Sequence, residues 1–245
     1  MKGHGVISVL TATSVLLFAA TYSASASAGN FSVSPVRIYM KPKDRATAIT
    51  IVNEGDEDLV MQADLYEWKQ KPNGEDDLKL TEEMFLSPPI IKLAAKSRQV
   101  VRLARLVPTP TSAQLTYRMI VREIPEAKPE SKDLAVQIAL AFSLPVFITP
   151  PGVKAKLTCT ADRVSVSSIN VVCENTGNAY ARPISITLNT NVGTKIAEGQ
   201  GGYVLPGIKR TFLIEHGKDA IAAGDAKLLV PLDDGTTEAY AVVIP

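Results

Sequence analysis

Beyond about residue 28 the chain carries almost no stretch with apolar residues at the i, i+3, i+4, i+7 spacing of an amphipathic helix. It repeats short β-branched runs cut by turn residues instead. A chain without helical stripes must bury the faces of sheets, and short connections between strands favour antiparallel pairing. Strands are expected in "FSVSPVRIYM", "ATAITIVN", "LVMQADLYEW", "RQVVRLAR", "LTYRMIVREI" and the segment from Leu134 to Ile148, with "NEGDED", "KPNGEDD", "LSPPIIKLAAKS" and "PEAKPESK" as connections. Pro150-Pro151-Gly152 punctuates the chain, and the pattern restarts with "VKAKLTCT", "RVSVSS", "INVVCEN", "ISITLNT", "GGYVLPG", "RTFLIEH", "AKLLVPL" and "EAYAVVIP". The expectation is an all-β protein of two sandwich domains, residues 29–149 and 150–245.

Residues 1–28 read as a secretory signal peptide: Lys2, an apolar run from about Val6 to Ala20, then small residues with cleavage after Ala28. The run is shorter than the ~20 residues that span a bilayer, so an exported protein without stable membrane insertion is expected. The 26 basic and 25 acidic side chains nearly cancel, which removes the bulk field that a general nucleic-acid binder needs. Cys159 and Cys173 are the only cysteines; in an oxidising compartment an even pair reads as a disulfide, with two free buried thiols as the alternative. Of the two histidines only His216 lies beyond the leader, which leaves zinc sites and histidine-based triads without their usual group. Asp233-Asp234-Gly235 reads as a turn, and "EGQGGYVLPG" lacks the ending of a phosphate loop. No enzyme, metal or cofactor is expected.

The segment "LAVQIALAFSLPVFITPPG" places Leu134, Val136, Ile138, Leu140, Phe142 and Leu144 on one face and small residues on the other. Drawn as one strand from Leu134 to Ile148 it would extend about 50 Å, far beyond the usual length. Pro145 cannot donate to a ladder and belongs on an edge or at a bulge. Two readings stand: a core-facing strand, or an edge that adds to another chain.

Taken with its flanks, the segment resembles the end of the first domain of the PapD-like periplasmic pilus chaperones. "TYRMIVREIPEAK" and "LAVQIALAFSLPVFITP" carry that likeness. "FSVSPVRIYM", "TAITIVNEGDEDLVMQADLYEW", "LSPPIIKLAAKSRQVVRLAR", "CENTGNAYARP" and "GYVLPG" resemble further family segments in the same order. The resemblance implies two immunoglobulin-like domains in an L shape that hold pilus or surface-fibre subunits by donor-strand complementation and pass them to an outer-membrane usher. The implied donor residues are Val136, Ile138 and Leu140, extended by Leu134 and Phe142. Arg37 matches the family's arginine for the subunit's terminal carboxylate, with an ordinary surface ion pair as its other reading.

Pro145 stands where the resemblance calls for a second, lysine anchor, which points to a divergent short-loop branch such as the alternative or archaic chaperones. Arg102, Arg118 and Arg122 are the candidates to replace it. Thr149 likewise stands where relatives carry an arginine between the domains, leaving Glu123 without its family partner and the interdomain angle without its family lock. An exposed apolar edge also invites a self-capping dimer. A competing reading makes the chain a structural or adhesive component of a surface fibre.

Overall fold

The computed structural model describes residues 30–71, 73–108, 110, 112–125, 138–190 and 195–245, with 195–200 as backbone. The expected leader, Leu134 and Val136, and residues 126–133 of the expected short loop lie outside them. The first sandwich comprises β1 (Phe31–Ser34), β2 (Ile38–Met40), β3 (Ala46–Asn53), β4 (Leu59–Gln70), β5 (Asp76–Leu80), β6 (Met84–Ser87), β7 (Ile90–Leu93), β8 (Arg98–Arg105), β9 (Leu115–Glu123) and β10 (Ala141–Ile148). One sheet has the order β1-β3-β8-β6; the other runs β2-β10-β9-β4-β5, with β7 also paired to β4. Alternation drives the assembly: Met61, Ala63 and Leu65 of β4, Val101 and Leu103 of β8, and Tyr117, Met119 and Val121 of β9 all point into one core.

In the second sandwich β11 (Leu157–Arg163), β12 (Ser168–Asn175) and β15 (Lys209–Glu215) form one sheet. The other, in the order β14-β13-β16-β17, is built from β13 (Ser185–Thr190), β14 (Lys195–Gln200), β16 (Gly224–Pro231) and β17 (Thr237–Ile244). The expected all-β, two-sandwich fold is what the chain adopts. Each sandwich closes a turn with the same device. Fully buried Asn53 accepts from Gly55 N–H at 2.9 Å and donates to Glu57 C=O at 2.7 Å. Fully buried Asn175 accepts from Gly177 N–H at 3.0 Å and donates to Ala179 C=O at 2.8 Å.

Several expected elements differ. "FSVSPVRIYM" is two strands in opposite sheets, because Pro35 has no N–H to continue the β1 ladder with β3; β2 resumes alongside β10. "LSPPIIKLAAKS" is no mere connection: Leu86, Ile91 and Leu93 are buried, and the two prolines split the segment into β6 and β7. The alternation in "RVSVSS" ends in a hairpin turn, where Val164 and Val166 are 55% and 69% exposed. "GGYVLPG" contributes only a bridge between Ala181 and Val204, while β14 was not foreseen. Of the long strand drawn to Ile148, the described ladder with β9 begins at Ala141.

A third, small core joins the sandwiches: Trp68 and Phe147 from the first and Leu205 from the second are buried together, flanked by Leu78, Tyr180, Tyr203 and Ile208. Two glutamines stitch around it. Gln70 Nε2 donates to Tyr203 C=O (3.1 Å) and its Oε1 accepts from Leu205 N–H (2.9 Å). Gln114 donates to Thr149 Oγ1 (2.7 Å) and accepts from Tyr180 N–H (3.0 Å). The sandwiches are thus tied by amides and aromatic rings, and Thr149, expected to leave a gap, accepts from Gln114 and so orients the amide that reaches Tyr180. Glu123 instead accepts from Leu140 N–H at 3.5 Å.

Cys159 and Cys173 face each other across β11 and β12 and form a disulfide, with a sequence separation of 14. Closing a loop of this size stabilises by about 3 kcal/mol in the chain-entropy account. Reduction is therefore expected to lower the urea stability of the second sandwich by about that amount, read from far-ultraviolet dichroism with and without dithiothreitol. Gln70→Ala leaves the buried Leu205 N–H without its acceptor, while the Tyr203 carbonyl keeps Arg210, and is expected to destabilise the protein by about 2 kcal/mol. Fluorescence of Trp68, the single tryptophan and part of this small core, reports the loss.

Candidate functional site

β10 is paired along its full length to β9 on one side. On the other side β2 covers only Val146, Phe147 and Ile148, in parallel register with Ile38, Tyr39 and Met40. From Ala141 to Pro145 the outer edge of β10 therefore has no ladder partner among the described residues. Pro145 fits this place, since its missing N–H removes a donor from an edge and not from a two-sided ladder.

Side chains along β10 change environment as the strand proceeds. Leu144, Val146 and Ile148 are buried in the first core, and Phe142 and Leu140 are half-buried against it, Phe142 edge-on to Phe31 with centroids 4.8 Å apart. Ile138 is 42% exposed. Of the expected donor residues, then, Ile138 presents its side chain to solvent, while Leu140 and Phe142 already cover the open end of their own sandwich.

The free edge ends where β2 begins, and the residue before β2 is Arg37. Its Nη1 donates to Asp233 Oδ2 of the second sandwich at 2.6 Å. The same oxygen accepts from Tyr180 Oη at 3.3 Å, and Arg182 Nη1 lies 4.0 Å from it. Asp233 does lie in a turn, as expected, but its carboxylate also reaches across the domain junction. Tyr39 and Tyr180 share a hydrogen bond of 2.8 Å, and Phe147 stacks on both, with centroids 5.6 and 4.1 Å away. Burial lowers Arg37's affinity for its proton, but Tyr39, Tyr203 and Asp233 outweigh it and hold the group above its ordinary value. Burial pushes the Tyr180 hydroxyl well up, aided by Tyr39 and Asp233, so it stays a donor at any physiological pH.

The candidates for the missing lysine are scattered. Arg102 lies on β8 in the opposite sheet, exposed, with Ala48 and Ser87 as its ladder partners; the structure does not bring it to the cleft. Arg122 is at the far end of β9 from the junction, held by Asp64 at 3.0 Å and Tyr66 Oη at 3.1 Å. Arg118 does reach the junction. It lies 3.7 Å over the Trp68 ring and 3.2 Å from Asp76, with only 12% of its side chain exposed. Burial pulls its guanidinium below the ordinary value, with Asp76 opposing. Arg182, Asp233, Tyr180 and Tyr203 escaped the sequence reading. "NAYARP" and "PLDDG" carry no spacing that betrays a contact with Arg37, 196 residues from Asp233.

This architecture has known counterparts. A chain of the chaperone–tip adhesion subunit pre-assembly complex CsuC–CsuE, from the archaic chaperone-usher Csu pili of Acinetobacter baumannii, superposes with a TM-score of 0.65 at 22% identity, covering 89% of this chain and 100% of that one. The E. coli chaperone DraB gives 0.60 at 18% identity, over 90% and 99% of the two chains. The Salmonella enterica SafA pilin complex with the SafB chaperone gives 0.58 at 16%, over 89% and 98%. No curated protein sequence matches the chain at a significant level. The sequence profile of the pili and flagellar-assembly chaperone PapD N-terminal domain matches residues 30–154, more than half of the chain. With its sheet-switching first strand, open-edged β10 and paired sandwiches, the chain belongs to the PapD-type family of pili and flagellar-assembly chaperones.

Proposed function

We propose that this protein is a periplasmic chaperone that holds pilus or fibre subunits by lending them the free edge of β10 and later releases them to an outer-membrane usher. The observation that carries the reading is the ladder-free stretch from Ala141 to Pro145, which ends at Arg37. A subunit strand laid on this edge has its backbone N–H and C=O groups satisfied without regard to its side chains, so related subunits are served alike. Because β2 runs parallel to β10, an added strand in line with β2 and running the same way puts its C-terminus at Arg37. A guanidinium at a strand's carboxylate end is a charge-assisted contact, stronger than a neutral one.

Specificity then comes from the apolar side chains of the donor segment: Ile138, the Leu134 and Val136 that precede it in sequence, and Leu140 and Phe142, which are half-buried on the first core. A side chain taken from exposed to fully buried contributes about 1.5–3 kcal/mol, and the half-buried Leu140 and Phe142 contribute less. That is before the ordering costs of association are subtracted.

Because Ile138 is 42% exposed and does not belong to the first core, Ile138→Asp is expected to leave thermal stability nearly unchanged while weakening subunit capture at least thirtyfold, about 2 kcal/mol. Pull-down of a co-expressed fibre subunit measures it; capture at normal yield would show that the edge is not donated. Leu140→Asp is the poorer probe, since that side chain also packs on the first core. For Arg37→Ala the expectation is loss of capture with a stability change of only about 1–2 kcal/mol, since Asp233, though 10% exposed, keeps Tyr180 and Arg182 beside it. A large drop in melting temperature would instead make Arg37 a structural residue.

A further inference from the structure

The chemistry at the domain junction is unbalanced. Arg37 and Arg182 both address one oxygen of one carboxylate, Asp233 Oδ2, at 2.6 and 4.0 Å. Two fixed positive charges thus face a single negative one. A guanidinium offers five N–H donors in a flat fork. Arg37 engages Asp233 through one nitrogen at hydrogen-bonding distance, and Arg182 stops short of that distance.

Arg182 is nonetheless held in place. Its carbonyl accepts from Asp233 N–H at 3.1 Å, beside the bridge between Pro183 and Leu232, and its guanidinium sits 5.0 Å from the centre of the Tyr203 ring. A cation over an aromatic face is favoured by the ring quadrupole and keeps its edge donors available. Its side chain is 36% exposed and that of Arg37 is 37% exposed, so both can be reached from solvent. Of the other arginines of the junction, Arg118 is paired with Asp76 and lies over Trp68, and Arg210 donates to the Tyr203 carbonyl at 2.9 Å.

We propose that Arg182 is the second cation of the subunit-anchoring site, supplying from the second sandwich the charge that Pro145 cannot supply from β10. Asp233 is the positioning carboxylate that holds Arg37 and Arg182 to one point. The ligand is a chain-terminal carboxylate, which brings the junction to two positive and two negative charges. The assignment rests on the donated-edge reading above, and it names residues on both sandwiches as necessary for the anchor.

The test uses one peptide in two forms, acetyl-Thr-Val-Thr-Val-Thr-Val-Thr-Tyr with a free C-terminal carboxylate or a C-terminal amide, titrated calorimetrically into the full-length protein. The native protein is expected to favour the acid form at least tenfold. In Arg182→Gln the preference should shrink below threefold, while Arg182→Lys, which keeps the charge but not the fork, should retain part of it. Melting curves of both variants should match the native one. An acid preference that persists in Arg182→Gln but is lost in Arg37→Ala overturns the role of Arg182 and leaves the anchoring site standing. If the native protein does not distinguish acid from amide, the anchoring site itself falls, and the role of Arg182 with it.

Discussion

Burial of both faces of β10 is the constraint from which the rest of the architecture follows. Leu144, Val146 and Ile148 fill the first core, while Phe147 on the opposite face is buried against Trp68, Leu205 and the tyrosines of the domain junction. A strand buried on both sides cannot slide, because a one-residue slip would swap its two sets of side chains. The same strand is left without a neighbour on its outer edge before Val146. Rigidity at one end and openness at the other are thus properties of a single eight-residue element.

An open edge is ordinarily a hazard, since unpaired backbone groups template aggregation. Here it is closed at its inner end. Pro145 removes a donor at the inner end, and Arg37 places a charge where the edge stops. The apolar face that leads into it is not idle either, because Leu140 and Phe142 are half-buried on their own core. The edge is short and punctuated, and it is closed off by charge, which favours one strand in one register over indiscriminate stacking.

Much of this was legible in the residues, and the reasons for the misses are physical. Period-two alternation identified β3, β4, β8 and β9 almost to the residue, because each has one wet face and one dry face. The same rule misread Val164 and Val166, whose apolar side chains sit exposed at a hairpin tip. It also passed over β6 and β7, where a pair of prolines hid strands that bury Leu86, Ile91 and Leu93. Family likeness pointed to Arg37, but nothing in the sequence pointed to Arg182 or Asp233 as its neighbours. Nothing in a local pattern reports a partner brought in from the other domain, and the candidates drawn from neighbouring strands, Arg102 and Arg122, are turned elsewhere by the sheet geometry.

The junction binds these observations into one dependence. Arg37 comes from the first sandwich, while Asp233, Arg182 and Tyr180 come from the second, and the two sets meet only while the sandwiches stay docked. Docking in turn rests on Gln70 and Gln114, each bonded to backbone on the far side, and on the aromatic cluster around Phe147. Amide bonds and stacked rings do not titrate between pH 5 and 8, and buried ones are weakly screened by salt, unlike an exposed ion-pair lock. A chain that lacks the family's arginine at Thr149 therefore keeps its domains in register by packing and amide bonds, with the Arg37–Asp233 ion pair beside them.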